Sequence, residues 1–170
     1  MVSNRTILAI KLATRGFGYV VLDGQKLIDW GTKETRSDKE RRTLKQLEKL
    51  IAVYTPKHLL LPDYSQYPRR QTERILNLTK FIATYATQNG LSLQLVSWPK
   101  VCAYFRVAGA ATKHEMALKT AERFPELASF VPPFRKPWMS EHHRMCVFQA
   151  AALALSYLEG VVGRIAKREE

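Results

Sequence analysis

The sequence predicts an α/β fold built on one mixed five-stranded sheet, three antiparallel strands and then two more, with helices on both faces. Three observations predict it. Thr6 to Ala13 and His58 to Leu61 are nearly unbroken apolar runs, as expected of strands covered on both sides. Asp23-Gly24 stands between two further strand-like segments and is a strong two-residue hairpin signal. Beyond residue 38, helical and extended periodicities alternate, so the element order reads β-β-β-α-β-α-β-α-α-α.

Each element has its own warrant. Phe17 to Leu22 follows the turn Thr14-Arg15-Gly16, and the hairpin leads into Lys26 to Thr32, completing a β-meander. Ser37 or Asp38 can cap a helix whose Leu44, Leu47, Leu50 and Ile51 share one face, ending before Pro56. The short strand at His58 stops at Pro62, and Tyr64 to Pro68 reads as a polar and aromatic loop. Ile75, Leu78, Ile82 and Tyr85 keep helical spacing until Asn89-Gly90. Leu91 to Val96 is the fifth strand, Pro99 opens a short helix, and Thr112 caps another from Lys113 to Phe124. A loop over Pro125 to Pro137 precedes a long alanine-rich helix, expected from Glu141 through Leu158. No repeat or linker interrupts the pattern, so residues 1–170 read as a single domain with its core over about 5–158.

Composition narrows the function. Twenty-seven Lys and Arg against fifteen Asp and Glu give a net charge of +12, the usual sign of a polyanionic partner, with nucleic acid first among those. The excess is concentrated: Lys57 to Lys113 holds eight basic residues and two acids, Asp63 and Glu73. No apolar run is long enough to span a membrane and no secretory leader is apparent, so a cytoplasmic protein is expected. Cys102 and Cys146 lack metal-ligand spacing and read as packing thiols.

Residue by residue, the segment Ile10 to Val21 carries Arg15, Gly18 and Tyr19 after a turn, with Lys11 near the end of its strand. Leu27-Ile28-Asp29-Trp30-Gly31 follows the hairpin, and Pro56 to Pro62 forms the next strand. Trp98-Pro99-Lys100-Val101, Gly109-Ala110-Ala111-Thr112-Lys113 and Gln149 to Leu155 complete the series. In order and spacing these resemble the RuvC-like Holliday junction resolvase family, whose ribonuclease H-like fold also fits the element order. The resemblance covers about residues 5 to 158. It implies a metal-dependent nuclease whose carboxylates lie on the first strand, the fourth strand and the last helix. In this chain Lys11, Pro62, Cys146 and Gln149 stand at those places.

Those departures matter chemically. Two-metal nucleases hold a pair of divalent cations about 3.5–4 Å apart on carboxylates, and Mg²⁺ requires hard oxygen ligands. An ammonium at Lys11 repels a cation, Pro62 has no side-chain ligand, Cys146 is soft and Gln149 offers only a neutral oxygen. The site therefore reads as degenerate, with no metal and no cofactor expected. An alternative stays open: Asp63, shifted inward by a bulge, together with Glu141 and a neighbouring histidine, would rebuild a magnesium site and leave a divergent endodeoxyribonuclease. Lys11 is also expected to pair with Asp63, Glu141 or both, so that removing it would destabilise the fold.

The leading functional reading is a catalytically inactive, RuvC-like protein that binds branched or distorted DNA, as a homodimer if the family resemblance extends to assembly. A protein-interaction subunit is the further alternative. Candidate nucleic-acid contacts are Arg15, Tyr64, Tyr67, Arg69, Arg70, Arg74, Lys100, Arg106 and Lys113. Phe134-Arg135-Lys136-Pro137-Trp138 has two readings, a substrate-side flap or a tail packing Trp138 on the core.

Overall fold

A computed structural model describes residues 5–63 and 73–166, with side chains described up to residue 160. Strands β1 (Thr6–Ala13), β2 (Gly16–Asp23) and β3 (Lys26–Glu34) form the expected meander. β4 (His58–Asp63) and β5 (Ser92–Ser97) extend the sheet in the order β3-β2-β1-β4-β5. The pairs β3·β2 and β2·β1 are antiparallel, whereas β1·β4 and β4·β5 are parallel. The carboxyl ends of β1, β4 and β5 therefore emerge together, and this end of the sheet carries the candidate site.

Alternation along the central strands divides the interior into two cores. Leu8, Ile10, Leu12, Leu59 and Leu61 pack against α1 (Lys39–Tyr54) and α2 (Glu73–Gln88). Ile7, Ala9, Val20, Leu22 and Leu60 pack against α3 (Trp98–Val107), α4 (Lys113–Arg123) and α5 (Met145–Ala166). α5 can lie across the strands because its contact face is mostly alanine: Ala150, Ala151, Ala152 and Ala154 are all fully buried. Gly18 permits the closest approach, since a Cβ there would sit 2.5 Å from the Cys146 carbonyl carbon and 2.6 Å from Val147 N. Among the described residues no helix is long and apolar enough to cross a membrane.

Two helix starts differ from expectation. Asp38 holds the N-cap position of α1, but its backbone is left-handed (φ 45°) and its side chain makes no cap bond. The carboxylate lies 3.9 Å from Arg41 instead. The last helix begins at Met145 rather than Glu141. His142 supplies the start, its Nδ1 accepting from Arg144 N at 3.2 Å and its carbonyl from Met145 N at 3.0 Å. Glu141 is thereby left outside the helix with its carboxylate free to reach α4. The α4 cap is as expected: Thr112 Oγ1 accepts from Glu115 N at 3.1 Å, while Glu115 Oε2 accepts from Ala111 N at 2.9 Å.

Candidate functional site

Lys11 continues the row Ile7, Ala9, so its side chain leaves β1 on the face covered by α5. It lies opposite Gly18 on β2, the residue whose missing side chain admits the first turn of α5. Lys11 and Cys146 therefore share one pocket, with the sheet as floor and α5 as roof. The Lys11 ammonium donates to Leu12 O at 3.0 Å. Burial pushes its pKa down to about 8, and the charge of Lys113 adds to the effect, while Glu141 and Cys146 act the other way. The Cys146 thiol donates to His143 O at 2.9 Å, and burial pushes it up to about 11, against the pull of Lys11. At neutral pH it is a protonated thiol, not a thiolate ligand or nucleophile. Gln149, one turn along α5, is buried on the same helix face.

The sequence expectation for Lys11 is met only in part. Glu141 is near enough to favour its charged form, yet the Glu141 carboxylate bridges Lys113 at 2.6 Å across a half-exposed surface. Asp63 leaves on the other side of the sheet. The β4·β5 register runs without a shift from His58↔Ser92 to Asp63↔Ser97. Leu59 and Leu61 point to the α1–α2 core and Leu60 to the α5 core. Alternation then assigns Pro62 to the Lys11 face and Asp63 to the opposite one. The bulge that would bring Asp63 beside Glu141 is absent, and the two carboxylates do not form a pair.

These side chains do not fit a magnesium pair. The four positions marked by the resemblance offer an ammonium, a proline, a protonated thiol and an amide, none of them an anionic oxygen ligand. Among the described residues no three of His, Cys, Asp or Glu gather where they could hold a metal ion. His142 and His143 stack on each other with ring centroids 4.4 Å apart.

The basic candidates divide by position. Arg15 lies exposed in the β1–β2 turn, Lys100 in the first turn of α3, and Lys113 at the start of α4, all at the carboxyl end of the parallel strands. Arg106 is also exposed but sits at the far end of α3, across the buried Val101–Phe105 stripe from Lys100. Arg74 is a clamp for the chain itself: its Nη2 donates to Thr14 O at 2.7 Å and to Ala13 O at 3.4 Å. Lys39, which no sequence pattern singles out, donates to the same Thr14 carbonyl at 3.1 Å. Tyr64, Tyr67, Arg69 and Arg70 lie outside the described residues. Phe134 and Trp138 are 72% and 79% exposed, so the reading of a tail packed on the core is wrong.

The order β3-β2-β1-β4-β5, with the site end formed by β1, β4 and the last helix, has close counterparts among solved structures. The RuvC structure of Thermus thermophilus superposes with a TM-score of 0.65 at 13% identity, over 93% of this chain and 96% of that one. The chain has the fold of the RuvC resolvases. T. thermophilus RuvC in complex with a Holliday junction substrate matches with a TM-score of 0.60 at 15% identity, covering 93% of this chain and 96% of that chain. The yeast mitochondrial Holliday junction resolvase Ydc2 matches with a TM-score of 0.60 at 14% identity, over 92% of this chain and 78% of that one. No protein-family model matches the sequence, and no curated protein matches it. On the RuvC fold, Lys11, Pro62 and Cys146 occupy the pocket face shared by the first strand, the fourth strand and the last helix.

Proposed function

We propose that this chain binds branched or distorted DNA, as a homodimer, without cutting it. The observation that carries the reading is Lys11, which sends an ammonium from β1 into a pocket where the described residues form no cluster of carboxylates. Two unit charges of like sign 4 Å apart repel by about 4 kcal/mol at an effective dielectric of 20, enough to oppose a cation there. The RuvC structure solved with a Holliday junction supports the choice of branched DNA as partner. The charge of +12 and the exposed Arg15, Lys100 and Lys113 at one end of the sheet supply the means of gripping phosphates.

The test is a binding series on a four-way junction, a duplex and a single strand, with and without Mg²⁺ or Mn²⁺. The expected result is metal-independent binding that prefers the junction and produces no cleavage. Affinity should fall by about 10³ between 50 and 200 mM salt, as for a protein that neutralises roughly six phosphates. Metal-dependent cleavage that Asp63→Asn abolishes would instead establish the nuclease. Absence of binding at low salt would leave the protein-interaction subunit.

A further inference from the structure

Resting on that reading, we infer that the segment from Phe134 to Trp138 is a stacking element for unpaired nucleobases at the rim of the Lys11 pocket. Phe134 and Trp138 are among the most exposed apolar groups described, at 72% and 79%, and they stand on one short segment together with Arg135 and Lys136. The segment is nevertheless organised. Met139 N donates to Lys136 O at 3.0 Å, closing a turn, and Arg135 Nη1 donates to Met139 O at 3.0 Å, tying that turn to the residue after Phe134.

Its two ends are fixed to the same neighbour, the start of α4. Phe134 meets His114 edge-on with ring centroids 5.5 Å apart, and Glu141 bridges the adjacent Lys113 at 2.6 Å. Trp138 lies between these anchors, with the Lys136 ammonium 5.3 Å from its ring centroid. Glu141 and Lys113 both act on Lys11, so the segment borders the candidate site and not a remote surface.

The chemistry selects the occupant. An apolar docking face for a protein is contiguous and poor in lysine. Here two separated rings flank Arg135 and Lys136, a pattern that suits a polyanion carrying flat apolar faces. Stacking is indifferent to sequence and needs only a base released from its neighbours, as at a branch point or a gap. A fully paired duplex offers no such face to a loop of this kind.

The experiment compares full-length parent and Phe134→Ala/Trp138→Ala by fluorescence anisotropy on three labelled DNAs at one salt concentration: a four-way junction, a gapped duplex and an intact duplex. The double variant should lose roughly tenfold or more on the junction and the gapped DNA, with intact-duplex affinity unchanged. Trp138→Tyr alone, which keeps a ring, should retain most of the binding. In the complex of the parent protein with gapped DNA, acrylamide should quench tryptophan emission less than in free protein, because Trp30 and Trp98 are already partly buried. Equal losses on gapped and intact DNA would overturn the inference, as would parental affinity in the double variant. So would a dimer that the double variant dissociates while DNA binding persists, which would assign the rings to a protein contact. Failure of the parent to bind any DNA would refute the proposed function itself, a result distinct from all of these.

Discussion

Gly18→Ala is expected to destabilise the protein by about 3 kcal/mol, the cost of overpacking a site that cannot relax through a rotamer change. The atoms met by the new methyl are chiefly backbone, 2.5 Å away at the Cys146 carbonyl carbon and 2.6 Å at Val147 N, so the first turn of α5 must lift off β2. That turn carries Cys146 and, through His143 O, fixes the thiol over Lys11. The substitution should therefore lower the melting temperature by roughly 10 °C for a chain of this size and also open the pocket. Gly160 supplies the control. It lies in the same helix with nothing within 4 Å of an added methyl, so Gly160→Ala should stabilise by about 0.5–1 kcal/mol through helix propensity. Urea titrations of the two variants measure both signs. A Gly18→Ala protein as stable as its parent would show that α5 does not press on β2.

Strands and helices are legible in the sequence because each is written in local pattern: the unbroken run of β1, the Asp23-Gly24 hairpin, and the Leu44, Leu47, Leu50 stripe of α1. The site is legible only as positions. Lys11, Pro62, Cys146 and Gln149 can be placed by their resemblance to a known spacing, but Lys11 is electrostatically coupled to Lys113, about a hundred residues later, and no local pattern encodes that. The start of the last helix escapes a sequence reading because His142 holds a turn ahead of it, its Nδ1 accepting from Arg144 N, so that the helix begins at Met145 and not at Glu141, and an imidazole in that role is not a common helix-start signal. Asp63 differs from the expectation by a single residue. In a strand that difference changes the face, and only the unbroken register of β4 with β5 decides it. The exposure of Phe134 and Trp138 is undecidable from sequence, because an aromatic in a loop has the same local context whether a core receives it or not.

The pocket also makes stability depend on pH in a direction that reverses the sequence expectation for Lys11. Its pKa is about 8 in the folded chain against an ordinary 10.5, so between those values the unfolded chain binds the proton that the folded chain has released. Stability then rises with pH across that interval, and below pH 8 the folded protein carries the whole cost of a desolvated ammonium, about 3 kcal/mol. Cys146 acts oppositely: its thiol titrates near 11 folded and 9.0 unfolded, so stability falls between pH 9 and 11. The parent should gain about 1 kcal/mol from pH 8 to 9 and little beyond. Lys11→Met fills the same space without charge, and Glu141 keeps its ion pair with Lys113. That variant should be more stable than the parent at pH 7 by about 1–3 kcal/mol and should lose the rise between pH 8 and 9. Cys146→Ser, which removes the opposing group, should extend the rise toward pH 10. Denaturant unfolding at pH 7, 8, 9 and 10 reads all three proteins. A parent curve flat from pH 7 to 9.5, or a Lys11→Met protein weaker than the parent at pH 7, would place the ammonium in a solvated or well-paired setting and remove the argument that it occupies the pocket at a cost.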